Sequence, residues 1–247
     1  PFVMILSPTW RCNLRCAGCY TLGYQRHPGL SYDLVKRILR ECIDIGLHFV
    51  TVLGGEPFMY PYLFQMIEEH PQIFFQVYTN GTLMTKEKSE KIRDLGNAMV
   101  VVSCEGYEEE TDRWRGPGVF KKIMEAMDHL KKARVLFGSS ATVTRNNVDV
   151  VSSEEWIDML LEKGIVAQMY FLYIPVNGQG DIHLMVTPEQ RNHLRKQVMR
   201  LRGAKPMFIL DFWNDGPHVR GCIAAGRRYF HINANGDVEP CVYTHVA

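Results

Sequence analysis

The chain has 247 residues, 28 Lys and Arg against 27 Asp and Glu for a formal net charge of +1, and 46% hydrophobic residues. Near-neutrality removes the electrostatic case for a nucleic-acid partner, and the apolar share supports a sizeable core in one large domain or a domain with an appendage. No run of about 20 apolar residues marks a transmembrane segment, and seven cysteines without a secretory leader point to a reducing, cytoplasmic setting where thiols bind metals more readily than they pair.

From the N-terminus, apolar β-branched runs alternate with amphipathic ones. Residues 3–7 form the first strand-like run, and Pro1 in place of Met leads us to expect a preceding segment. A helix follows at 32–45, where Leu34, Val35, Ile38, Leu39, Cys42 and Ile45 keep the spacing of a buried face and Gly46 supplies a stop. Further strands are expected at 49–53, 74–79, 99–103, 139–143 and 166–173, and helices at 62–69, 86–95, 119–132 and 154–162. Repeated strand–helix alternation implies a parallel sheet, because each crossover returns to the same edge. Six such units curve into a partial (β/α)6 TIM-like barrel, an α/β fold in which ligands collect at the C-terminal strand ends.

After the sixth strand, Thr187-Pro188-Glu189-Gln190 combines an N-cap, a proline at the first helical position and a capping glutamine, opening a helix to about Leu201. A strand at 207–213 and a hairpin of 229–232 with 237–242, turning at Asn235-Gly236, complete the chain. The expected division is a barrel at 1–186 and a linker helix with a small hairpin-containing extension at 187–247.

The chemistry concentrates at strand ends. Cys12, Cys16 and Cys19 stand in Cys-Asn-Leu-Arg-Cys-Ala-Gly-Cys after the first strand. Protein-bound iron–sulfur clusters normally take four cysteines, so three leave one iron open to a ligand with chemistry of its own. A zinc site, which usually adds a second pair or histidines, a disulfide with one thiol left over, and chance remain as alternatives. Leu53-Gly54-Gly55-Glu56-Pro57 ends the second strand, Thr79-Asn80-Gly81 the third, Ser103-Cys104-Glu105-Gly106 the fourth, and the run from Thr142 through Arg145 the fifth.

The C-x3-C-x2-C spacing, with Gly-Gly-Glu-Pro one strand later, resembles the radical S-adenosylmethionine (radical SAM) superfamily. The resemblance implies a 4Fe-4S cluster on Cys12, Cys16 and Cys19, with the amino and carboxylate groups of SAM on the open iron. It also implies a one-electron donor such as flavodoxin or ferredoxin, and cleavage of SAM to a 5'-deoxyadenosyl radical that takes hydrogen from a substrate carbon. Gly54 and Gly55 would let backbone approach a ligand, Glu56 would accept from the SAM ammonium, and Thr79, Asn80, Ser103, Thr142 and Arg145 would present polar groups to ribose and methionine. Many members carry an aromatic residue just before the third cysteine. Here that position is Gly18, so either Tyr20 takes over the adenine contact or adenine packs elsewhere.

Cys222 and Cys241, in C-x13-G-x4-C, resemble the opening of a SPASM or twitch domain, which implies an auxiliary iron–sulfur cluster whose further cysteines this chain does not reach. That resemblance favours a peptide substrate. Ile174 through Gly180 instead resembles a loop of haem-biosynthetic relatives, and a lipid or other small molecule is the third possibility. Cys42 and Cys104 are expected to be structural, and the nine histidines show no metal-ligand spacing. A non-catalytic iron–sulfur or zinc module is the alternative of another class, and it has no use for a polar Glu56 or Ser103 beside its metal.

Overall fold

The structure is a computed structural model that describes residues 2–24, 29–176 and 180–246. Its strands are β1 (Val3–Leu6), β2 (Phe49–Val52), β3 (Phe74–Thr79), β4 (Ala98–Ser103), β5 (Phe137–Val143), β6 (Ala167–Leu172), β7 (Phe208–Asp211), β8 (Tyr229–Ile232) and β9 (Val238–Glu239). They form one sheet in the order β7-β6-β5-β4-β3-β2-β1-β8-β9, parallel throughout except for the β8–β9 pair. The α-helices are α1 (Tyr32–Asp44), α2 (Leu63–Glu69), α3 (Lys86–Leu95), α4 (Glu108–Arg115), α5 (Val119–Ala133), α6 (Val148–Val151), α7 (Glu154–Lys163) and α8 (Pro188–Ala204).

Strand pleating sorts the residues. One set, including Val50, Val52, Phe75, Val77, Val100 and Val102, packs with Val35 and Leu39 of α1 and Ile123, Met127 and Leu130 of α5 in the main core. The alternate residues, among them Val101 and Met169, gather with Tyr78, Met99, Phe171 and Leu210 in a second cluster on the opposite face. The expected stripe of α1 is half right. Val35, Leu39 and Cys42 are buried, whereas Leu34 lies on the flank and Ile45, past the last helical residue, points to solvent. Thr187 and Gln190 form the expected capping box at the start of α8.

Three features differ from the sequence reading. Helix α4 has little apolar periodicity and goes unpredicted; its signal is electrostatic, with Glu108, Glu109 and Glu110 in the first turn and Arg113 and Arg115 in the last, matching the helix dipole. The late strands join the same sheet at its two edges, β7 pairing with β6 and β8 with β1, pairings that the sequence pattern does not announce. The second hairpin strand, expected over 237–242, stops at Glu239 because Pro240 has no N–H to donate to a ladder.

Candidate functional site

The inward faces of the strands and the loops at their C-terminal ends enclose a cavity of about 460 Å³. Cys12, Cys16 and Cys19 share one wall of it with Tyr20, Gly54, Gly55, Thr79, Asn80, Ser103 and Thr142. Tyr78, Met169, Phe171, Leu210, Phe212, Tyr229 and Tyr243 supply much of the rest.

Backbone contact between the cysteine loop and the Gly-Gly turn builds the first wall. Gly55 N–H donates to Thr9 O and Glu56 N–H to Arg11 O, both at 2.8 Å. A Cβ on Gly55 would stand 2.3 Å from Arg11 O, and one on Gly54 2.5 Å from Thr9 O. The close approach these glycines permit is therefore to the cysteine loop itself, in addition to the cavity they line.

Behind them Glu56 is fully buried. Its carboxylate accepts from Thr79 Oγ1 at 2.7 Å, Asn80 N at 2.8 Å and Phe58 N at 3.1 Å. Burial pushes this carboxyl above its ordinary range, with those hydrogen bonds opposing the shift. Glu56 thus locks the end of β3 to the turn after β2. Asn80 in turn donates to Asn13 Oδ1 at 2.9 Å within the cysteine loop, and its Nδ2 lies 3.8 Å from Cys12 Sγ.

Arg115 is the functional residue that the sequence reading missed. It forms a buried two-pronged ion pair with Glu105, Nη2 to Oε1 at 2.7 Å and Nε to Oε2, while Nη1 stands 3.9 Å from Cys16 Sγ. Burial pushes the Cys16 thiol up to about 11, and the guanidinium opposes this by favouring the thiolate. The Cys12 thiol is also raised, chiefly by burial. Glu105 was legible only as part of a turn, because the helix that carries its partner was not expected.

The missing aromatic at Gly18 has a spatial explanation. A Cβ there would lie 2.6 Å from the Tyr173 ring and 2.8 Å from the Trp114 ring, which meet each other edge-on at 5.6 Å. Two rings from distant segments occupy the space that a side chain at 18 would fill. Tyr20 also faces the cavity, its hydroxyl 3.4 Å from both N and O of Gly54.

Ser103 and Thr142 line the cavity, with Ser140 Oγ donating to Ser103 Oγ at 3.3 Å. Arg145 does not. It is exposed, and its Nε donates to Met185 O at 3.1 Å, so it fastens the β5 loop to the segment before α8. The strand's last inward residue is Thr142, and three residues further the chain has left the cavity.

Cys222 is exposed and Cys241 lies 3.1 Å from the Tyr229 hydroxyl; neither lines the cavity, although Ile223 and Val242 beside them do. Cys42 and Cys104 are buried in the core, the Cys104 thiol pushed up to about 12 by burial. Asn177, Gly178 and Gln179 of the haem-type loop, and His27, lie outside the described residues. No cysteine is disulfide-bonded, and no three His, Cys, Asp or Glu among the described residues converge as single-ion ligands. Cysteines that ligate separate irons of a cluster need not converge on one point, whereas zinc ligands must.

The description "Radical SAM superfamily" belongs to the family model that matches residues 6–149, and the chain belongs to this family. AdoMet-dependent heme synthase from Methanosarcina barkeri is 28% identical over 276 residues, covering 100% of this chain and 78% of the relative. Sporulation killing factor maturation protein SkfB from Bacillus subtilis is 28% identical over 98% of this chain and 60% of its own. Among solved structures, Streptococcus suis SuiB superposes with a TM-score of 0.81 at 20% identity, covering 98% of this chain and 60% of that one. A structure of anSMEcpe with bound AdoMet superposes with a TM-score of 0.79 at 18% identity, covering 100% and 76%. These likenesses identify the sheet as the barrel of radical SAM proteins, in a family with enzymatic members. No helix among the described residues is long and apolar enough to cross a membrane.

Proposed function

We propose that this chain is the catalytic barrel of a radical SAM enzyme acting on a flat, largely apolar cofactor precursor of the tetrapyrrole kind. The observation that carries the reading is the cavity, which three cysteines line together with many apolar and aromatic side chains.

Cys12, Cys16 and Cys19 would hold a 4Fe-4S cluster, and the chemistry that group supplies when bound is one-electron reduction of SAM to methionine and a 5'-deoxyadenosyl radical. The residues around it fit. Arg115 stabilises the Cys16 thiolate that iron requires. Asn13, Asn80 and Glu56 fix the loop through side-chain and backbone hydrogen bonds. Ser103 and Thr142 offer hydroxyls to the polar part of SAM, and the Trp114–Tyr173 pair beside Gly18 offers adenine the apolar surface that the loop itself lacks. Glu56, its carboxylate engaged by the protein, acts by holding Thr79 and Asn80 in the wall. An apolar lining excludes water from a radical that would otherwise be quenched.

Among the described residues, the cavity lining contains no Asp, Glu, Lys or His, and its charged residues are Arg115 and Arg228. Its many apolar and aromatic side chains suit a conjugated ring system, and Arg115 and Arg228 suit acidic substituents on it. The similarity to heme synthases supports the same choice. Cys222 and Cys241 serve in this reading as two ligands of an auxiliary cluster, a flavodoxin or ferredoxin delivers the electrons, and the cytoplasm is the compartment.

The test is anaerobic reconstitution with iron, sulfide and a reductant, followed by SAM turnover with iron coproporphyrin. Deoxyadenosine formation stimulated by the tetrapyrrole supports the assignment. Stimulation by a ribosomal peptide and by no tetrapyrrole would transfer it to peptide modification.

A further inference from the structure

Strand β3 sets two polar side chains into the lining of the cavity. Gln76 and Tyr78 stand two residues apart, so they share the strand's inward face. Both are half-buried, and both turn their donors toward thioethers. Gln76 Nε2 lies 3.9 Å from Met99 Sδ and 3.9 Å from Met169 Sδ, and the Tyr78 hydroxyl donates to Met169 Sδ at 2.8 Å. Among the described residues, these sulfurs are the acceptors that the two donors have.

The orientation of each donor is set by its neighbours. Thr51, opposite Gln76 where β2 pairs with β3, donates its hydroxyl to Gln76 Oε1 at 3.2 Å. That contact holds the amide oxygen away from the sulfurs, which carry no hydrogen to give it, and leaves the NH2 facing them. The Tyr78 ring meets Phe171 edge-on, with 6.2 Å between centroids. A thioether is a weak acceptor, so the amide and hydroxyl hydrogens face the cavity without a strong partner. Leaving them so in apolar surroundings costs free energy that an oxygen acceptor restores. Gln76 lies three residues before Thr79, which Glu56 holds at the cysteine wall. A strand rises about 3.3 Å per residue, so the two donors sit about 3 to 10 Å along β3 from that end.

We propose that Gln76 and Tyr78 are specificity-determining residues that receive a carboxylate of the substrate, with Thr51 positioning the Gln76 amide. Their donors take its oxygens in place of the sulfurs and hold the molecule against the cysteine wall. This rests on the tetrapyrrole reading above, whose acidic substituents supply the carboxylate.

Titration of iron coproporphyrin into the anaerobically reconstituted protein, followed by absorbance, tests it, with SAM affinity read by calorimetry and folding by thermal unfolding in parallel. Gln76→Leu and Tyr78→Phe should each weaken iron coproporphyrin binding about tenfold, the worth of one hydrogen bond to a charged group, while SAM affinity stays at the wild-type level. Thr51→Val, which frees the amide to turn, should weaken binding less and should add nothing in the Gln76→Leu background, because its effect passes through that amide. Tyr78→Phe removes a single oxygen atom and carries the test if Gln76→Leu fails to fold. Folded variants that bind iron coproporphyrin as tightly as wild type, or that lose SAM affinity in parallel, would overturn the proposal and leave the functional reading intact. A wild-type protein that binds no iron coproporphyrin would overturn both.

Discussion

The two walls of the cavity are built on opposite principles. The cysteine wall is held by directional contacts: carbonyls of the cysteine loop receive the N–H groups of Gly55 and Glu56, Glu56 spans two strand ends, and Arg115 is locked to Glu105. The facing wall is held by rings. Phe212 stands 5.5 Å from Phe171, 5.0 Å from Trp213 and 6.4 Å from Tyr229 between centroids, and Trp213 stands 5.5 Å from Tyr243. Hydrogen bonds fix positions to fractions of an ångström, while ring contacts fill space and tolerate exchange. On the proposed reading, the wall that would serve the cofactor is specified atom by atom, and the wall that would serve the substrate by volume and polarity.

Removing Arg115 strikes the directional wall hardest. Arg115→Ala strands the Glu105 carboxylate in the interior, and breaking a buried pair in this way costs about 3–5 kcal/mol. Urea unfolding of the metal-free protein should show that loss, and a change below about 1 kcal/mol would mean the pair is dispensable. Iron uptake at the three-cysteine site should fall as well.

Glu56→Gln sharpens the same side of the comparison. An amide nitrogen set against Asn80 N–H loosens the end of β3, and we expect SAM affinity to fall about tenfold, equivalent to about 1.4 kcal/mol. The pH dependence has a definite sign. Because burial raises the folded-state pKa of Glu56, the folded protein holds this proton more tightly than the unfolded chain, so the group's contribution to stability declines as pH rises from the ordinary carboxylate value through the raised one. The Gln variant of the metal-free protein should lack that decline, and an identical slope in urea titrations across this window would contradict the assignment.

The smallest effect belongs to the ring wall. Phe212→Leu should cost less than about 1.5 kcal/mol, leave SAM affinity unchanged and raise KM for the substrate. A matching loss of SAM affinity would erase the distinction between the walls.

What could be read from the sequence follows the same division. The parallel alternation and the cysteine and Gly-Gly-Glu-Pro motifs are local patterns, and the structure places their residues at strand ends as expected. Glu56 was legible as important but not as a bridge, because its partners Thr79 and Asn80 become neighbours only once β2 and β3 pair. Arg115 and the Trp114–Tyr173 rings were hidden for a similar reason, lying 99 residues from Cys16 in one case and meeting over Gly18 from two separate segments in the other. Arg145 was misplaced because the fifth strand turns out of the cavity three residues before it. The pairing of β8 with β1 joins the two ends of the chain and has no local signal at all.

The central claim is that Cys12, Cys16 and Cys19 together build the centre that cleaves SAM, and one measurement tests it most directly. Wild type and the Cys12→Ala/Cys16→Ala/Cys19→Ala variant are reconstituted anaerobically, checked for folding by circular dichroism, and assayed with SAM and reductant for iron content and 5'-deoxyadenosine. The account predicts a folded variant that has lost about four irons per chain, the complement of one such cluster, and all deoxyadenosine formation. A folded variant that still produces deoxyadenosine would contradict it.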